Sequence, residues 1–335
     1  MLKNSLLKAV AFFAIFGAVS SVSASNNVTL YSVYGENALR PVLDPFTQAT
    51  GIQVDVVEMK SDVILDRLEA EGQMSPADIH IDKDLVFFSE GSQKGLYQPI
   101  QSATIEQNIP ANFIESNKNW FLMLYRSRAI IYNDQKVNAS ELSTYAQLAD
   151  PKWRGRLCMR TSTKSYSMAL GAYMIAQHGM DNAKKIFKGW VANFSQDPIN
   201  SDTQIIRDVE AGKCDVAIVN HYYLAPFTKA DPNYPVKVLF TNQGAANAHV
   251  NGIGMALTKS SKNVAAATML LEYFSTAEVQ APVADAFNQY PTNPAAEVSK
   301  VLQSYGPFEA DKTNVRVIGN LSSIALEAMQ SVGYK

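Results

Sequence analysis

The chain has 335 residues, 47% of them hydrophobic, with 29 basic against 31 acidic side chains and a formal charge of −2. That balance excludes the dense positive field a nucleic-acid or anionic-membrane partner requires. The length exceeds what one hydrophobic core usually serves, so two domains are expected.

Residues 1–24, MLKNSLLKAVAFFAIFGAVSSVSA, carry Lys3 and Lys8, an apolar run from Ala9 to about Val19, and small residues at Val22-Ser23-Ala24. These are the features of a cleaved secretory signal peptide, with the mature chain starting at Ser25. Its removal takes away two lysines and no acid, so the charge moves from −2 to −4. No later stretch approaches the ~20 apolar residues of a membrane helix. The protein is therefore expected in the periplasm, exported and not inserted in the membrane.

From Val28 onward strands and helices alternate. VTLYSVY reads as a strand, ALRPVLDPFTQATG as a helix with Leu39, Val42, Leu43 and Phe46 on one stripe, and IQVDVVEM as a second strand. SDVILDRLEAEG makes a helix and ADIHIDKD a third strand, an order that argues for a mostly parallel sheet flanked by helices. A second unit follows RSRAIIYND: strand GRLCMR, helix SYSMALGAYMIAQHG, amphipathic helix DNAKKIFKGWVANF, helix DTQIIRDVEAG and strand CDVAIVN. IGMALTK returns as a strand, with two more helices after it. Two sheets with short connections, crossed more than once by the chain, suggest lobes that hinge around a cleft.

The strand CDVAIVN ends in HYY. Within a continuing strand Tyr222 and Tyr223 would point to opposite faces, so they share a site only if the strand stops near Asn220. In an open α/β sheet that C-terminal edge is where ligands bind. The alternative is that two tyrosines simply cover a sheet end. Tyr166 follows the turn RTSTKS, where Thr161, Ser162 and Thr163 surround a helix start and its free N–H groups offer an anion cradle; an ordinary helix cap is the competing account. Arg126 and Arg128 of RSR offer a cationic fork, or are surface arginines. Cys158 precedes Tyr166 by eight residues and Cys214 precedes Tyr222 by eight. In an oxidising compartment these two cysteines form a disulfide or remain two buried thiols.

A cluster of phenols has one demanding use. A phenol loses its proton near neutrality only to a strong cation, and Fe3+, hard and trivalent, prefers oxygen donors. Hydrolase chemistry would need a histidine paired with Ser162 or Ser165, and no nucleophile elbow, zinc motif, P-loop or dinucleotide fingerprint is present. His80, His178, His221 and His249 are scattered and read as structural, His221 being the strongest exception. Asp78, Asp82 and Asp84 read as a solvated edge or helix cap before a metal site.

On TLYS, FTQATGIQV, SPAD, RSRAIIYN, LADPKWRGR, NHYY and QYPTNP, the chain resembles the periplasmic ferric-ion-binding proteins of iron ABC transporters, the bacterial transferrins. The resemblance implies an α/β, two-lobed, type II periplasmic-binding-protein fold, each lobe a mixed, mostly parallel sheet flanked by helices and joined by β-strand hinges. It places residues 25–125 and 250–300 in one lobe and 126–249 and 301–335 in the other. It implies a monomeric, non-enzymatic receptor that captures Fe3+ and delivers it to an inner-membrane ABC permease. Its carried-over ligands are Tyr222 and Tyr223, with Tyr166 as a third, while Arg126 holds carbonate or another synergistic anion or stands behind the ligands, a role the Thr161 and Ser162 of the turn could share. The first lobe departs from the family: YSVYGEN lacks the usual histidine and offers Tyr34, and Lys83 stands where some members have glutamate. The rival in the same fold is a receptor for a small organic or anionic ligand of polyamine, thiamine or sugar phosphate type.

Overall fold

A computed structural model describes residues 27–241, 248–311 and 315–335, the side chains of 315 and 316 excepted. The expected signal peptide, residues 1–24, lies outside the described residues. The chain divides into two compact units, one of residues up to Tyr125 with Gly252–Val298, the other of Arg126–Asn251 with Ser299–Lys335. No described helix is long and apolar enough to cross a membrane.

The first unit contains β1 (Asn27–Ser32), α1 (Glu36–Thr50), β2 (Gln53–Glu58), α2 (Ser61–Glu71), β3 (Ile79–Asp82), α3 (Leu85–Gln93) and α4 (Ala103–Asn108), then the first half of β4 (Trp120–Asn133). β1 pairs in parallel with β2 and β3, as the strand–helix alternation requires. Val28 and Leu30 of β1 join Ile79 and Ile81 of β3 in one core with Leu43 and Phe46 of α1, the stripe read from the sequence.

The second unit runs from the other half of β4 through β5 (Leu157–Cys158), α5 (Ser165–His178), α6 (Met180–Asn193), α7 (Asp202–Glu210), β6 (Val216–Asn220), α8 (Ala225–Ala230) and β7 (Val236–Leu239). In its sheet β4 pairs antiparallel with β6 and β7, and β5 pairs in parallel with β6. The two-residue period sorts its side chains. Ile130, Val216 and Ile218 face a core built with α5 and α6, while Ile131, Ala217 and Val219 face another built with α7. With helices on both faces, β6 is buried along its whole length.

The chain then returns to the first unit through β8 (Val250–Leu257), antiparallel to β3. Helices α9 (Val264–Ser275) and α10 (Ala277–Phe287) follow, then β9 (Tyr290–Pro291), which pairs with Leu124 and Tyr125 of β4. A Cβ on Gly252 would lie 2.2 Å from the Leu124 carbonyl, so only glycine fits that approach. Helices α11 (Lys300–Gln303) and α12 (Val315–Ser331) complete the second unit.

One element was not legible. WFLMLYRSRAIIYN is a single strand of 14 residues, nearly all buried, and it includes the RSRAIIYN after which the sequence reading starts the second unit.

Candidate functional site

β6 stops at Asn220, and His221–Tyr223 form one 3-10 turn. The turn removes the alternation that would have separated the two tyrosines. Their rings lie 4.4 Å apart between centroids, both half-buried. The α5 start supplies the third phenol: Tyr222 Oη donates to Tyr166 Oη at 3.4 Å, a long contact. Asn220 Nδ2 donates to Tyr222 Oη at 3.2 Å. Three phenols from two chain segments therefore converge in the second unit.

Two arginines attend them. The Arg126 guanidinium lies 5.3 Å from the Tyr166 ring centroid and that of Arg160 lies 5.1 Å from it. Arg126 is 2% exposed and lines a small recess with Arg128, Tyr166, Asn220, His249 and Asn251. Burial lowers the His249 pKa to about 3, with Arg128 and Arg126 adding to the effect, so this imidazole is neutral. Burial pushes the Tyr222 phenol far above its ordinary range. The Arg126 cation pulls the other way, but neighbouring Tyr166 and Tyr223 reinforce the rise. Tyr222 is thus a neutral phenol until something displaces its proton.

Arg160 and Asp202 are site residues the sequence reading missed. The fully buried Asp202 carboxylate accepts from Arg128 Nη1 at 2.7 Å, from Arg160 Nη1 at 3.0 Å and from the Asn220 N–H at 2.9 Å. Burial opposes the Arg160 charge, but Asp202 and then Tyr223 outweigh it and raise its pKa. Arg160 opens the quoted RTSTKS turn, and its place beside a run of hydroxyls was the available signal.

Other expectations need correction. Arg128 is not half of an anion fork: it is 3% exposed, paired with Asp202, and donates to the Ile218 carbonyl at 2.8 Å. The amides of Thr161 and Ser162 form no cradle, since they donate to the carbonyls of Ile199 and Lys335. Nor do the hydroxyls cap α5, whose capping residue is Lys164, without a side-chain cap. The Thr161 and Ser162 side-chain oxygens are buried with no hydrogen-bond partner among the described residues. His221 is buried, and its Nδ1 accepts from the Ser127 N–H at 3.2 Å, a structural role.

Cys158 and Cys214 are joined by a disulfide with Cα atoms 5.8 Å apart. The sheet partner of Cys158 in the parallel β5–β6 pair is Ala217, three residues past Cys214.

In the first unit Tyr34 follows the end of β1. Its N–H donates to Ser32 Oγ at 2.9 Å, and its ring meets Phe287 edge-on with centroids 5.4 Å apart. The nearby acids are structural. Asp78 accepts from the Thr29 N–H and Ser261 Oγ, Asp82 from the N–H groups of Lys83 and Asp84, and Asp84 caps α3. Among the described residues no group of three or more histidines, cysteines, aspartates or glutamates is placed to hold a metal ion.

A two-unit α/β chain with a phenol cluster at a sheet edge defines a binding protein, and the chain belongs to the bacterial extracellular solute-binding protein family, which it matches over residues 75–310. It is 33% identical to iron uptake protein A1 of Synechocystis sp., over 92% of this chain and 87% of that one. The structure of Trichodesmium IdiA (FutA) in complex with iron and citrate is similar at a TM-score of 0.86 and 36% identity, covering 92% of this chain and all of that one. A Bordetella ferric binding protein gives 0.85 and 31%, covering 92% and 99%. The mixed α/β fold of these proteins is the one the family resemblance implied, and its mostly parallel sheet flanked by helices is what the strand–helix order led us to expect. Their family is one of binding proteins, not enzymes.

Proposed function

We propose that this solute-binding protein carries ferric iron on Tyr166, Tyr222 and Tyr223, coordinated as phenolates. The observation that carries this reading is the convergence of three phenols from two segments beside Arg126 and Arg160. Hydrogen bonding or surface cover does not call for three phenols at one sheet end, whereas a hard trivalent cation does. The names of similar proteins, an iron uptake protein and ferric binding proteins, support the same cargo.

Tyr34, just past the end of β1, is the first unit's candidate for a fourth oxygen, at a place where the chain departs from the family. Arg126 would hold a synergistic anion such as carbonate. Export through the signal peptide would put the protein in the periplasm, where an inner-membrane ABC permease takes the iron. Cargo binding stabilises whichever conformation it contacts best, so iron would favour the closed form.

The test is colour and stoichiometry. Protein loaded with Fe3+ should show a tyrosinate-to-iron band in the visible, and the Tyr222→Phe/Tyr223→Phe double variant should lose both band and metal. A double variant that retains one ferric ion and the same spectrum overturns the assignment. A second reading, a receptor for a small organic anion, is favoured by the two arginines over the Tyr166 ring. It predicts a colourless protein that binds the anion without iron.

A further inference from the structure

The turn that carries Arg160 at one end and leads to Tyr166 at the other is held from outside by a segment the iron assignment does not use. Tyr334 is buried, its ring meeting Phe194 edge-on at 5.3 Å. Its Oη donates to the Arg160 carbonyl at 2.7 Å. The next residue completes the strap, because the Lys335 carbonyl accepts from the Ser162 N–H at 2.8 Å. Gly333, at φ +89, lets the chain leave α12 in the direction that brings Tyr334 under the turn. The Tyr334 N–H returns to the Met329 carbonyl at 3.0 Å and anchors the segment to that helix. α12 in turn lies against α5, the helix that begins at Tyr166: a Cβ on Gly171 would come within 3.1 Å of Ala325 and Met329.

On the other side of the turn, Thr161 donates to the Ile199 carbonyl, and the Arg160 side chain reaches Asp202, Tyr223 and the Tyr166 ring. Residues 160–162 are thus pinned by Ile199 on one edge and by Tyr334 and Lys335 on the other. The position of the Arg160 backbone sets where its guanidinium meets two of the three phenols.

We infer that Tyr334, with the Lys335 carbonyl, is a positioning residue for the phenol cluster, acting through the Arg160 turn. This rests on the ferric reading of that cluster. The Tyr334 hydroxyl bonds the Arg160 carbonyl and lies beside Ser167, the neighbour of Tyr166, so its effect on metal passes through this turn and the α5 start that follows it.

Tyr334→Phe keeps the ring and deletes the donor. Tyr234→Phe serves as the control, since it removes a comparable hydrogen bond, Tyr234 Oη to Glu210 at 2.8 Å, elsewhere in the same unit. Each variant is assayed as the full chain for melting temperature, for visible spectrum when loaded with Fe3+, and for iron transfer to a competing chelator. Both variants should melt slightly early. Only Tyr334→Phe should shift the charge-transfer band and weaken iron retention, by up to about tenfold, the equivalent of one lost hydrogen bond. Deleting Tyr334 and Lys335 together should weaken it further. If Tyr334→Phe binds and absorbs like the unmodified protein, or if the control shifts the band equally, the positioning role is wrong while the ferric site stands. If the unmodified protein shows no iron-dependent band, the ferric reading fails first.

Discussion

Tyr222→Phe tests the ferric reading through protons as well as affinity. The substitution removes one oxygen, along with its hydrogen bonds to Asn220 and Tyr166 at 3.2 and 3.4 Å. Losing them costs about 0.5–1.5 kcal/mol each, so the variant should fold. Binding is a different matter. Burial and the neighbouring phenols hold Tyr222 protonated in the free protein, so coordination must expel that proton. Each phenol that starts protonated and binds as phenolate makes apparent affinity fall about tenfold for each unit the pH drops. Three such ligands give about a thousandfold per unit, and Tyr222→Phe leaves about a hundredfold.

The informative quantity is therefore the ratio of unmodified to variant affinity. It should shrink about tenfold per pH unit as acid is added, because both proteins lose affinity and the variant loses it less steeply. Measuring both by competition against one chelator, between about pH 8 and pH 6, cancels the chelator's own titration and the hydrolysis of ferric ion. A structural tyrosine would give a ratio independent of pH. That result, or an unchanged visible spectrum in the variant, would refute Tyr222 as a ligand.

Asp202→Ala should be severe, because it strands the buried Arg128 guanidinium and the half-buried Arg160 guanidinium and frees the Asn220 N–H; a loss of about 3–5 kcal/mol in denaturant unfolding, with loss of iron, is expected, and a loss below about 1 kcal/mol would count against the network. Reducing the Cys158–Cys214 bridge, whose sequence separation is 56, should lower stability by up to about 4 kcal/mol on the chain-entropy account. The oxidised protein should show no titratable thiol when denatured without reductant, and two thiols would disprove the bridge.

What could be read in advance follows from how each feature is encoded. Alternating strands and helices announce themselves by period, and the turn at HYY was legible because two phenols after a β-branched run make no sense on opposite faces of a sheet. β4 was hidden by the opposite circumstance. Buried along both faces, it shows no alternation, and its arginines look like the polar punctuation of a linker. Arg160 and Asp202 escaped for a related reason: a charge in a polar turn is solvated by default, and only the fold reveals that Asp202 is buried and paired with a half-buried Arg160. Tyr334 and Lys335 follow a helix, with nothing in their spacing to say that the chain doubles back to a turn more than 170 residues earlier.

Charge counting shows what the cluster still needs. Three phenolates neutralise Fe3+, leaving the metal and its three ligands without net charge. Around them, Arg126 contributes one positive charge, and Arg128 and Arg160 together exceed Asp202 by one more. Counting these groups alone, the loaded site carries a net positive charge. Such a charge favours a further anionic donor, in keeping with the synergistic anion proposed above. The free cluster meets the converse limit. Three adjacent phenolates without a metal would repel one another, and burial already forbids the charge on Tyr222. Deprotonation and metal entry are therefore coupled, which selects for a cation strong enough to drive both and against weakly polarising divalent ions.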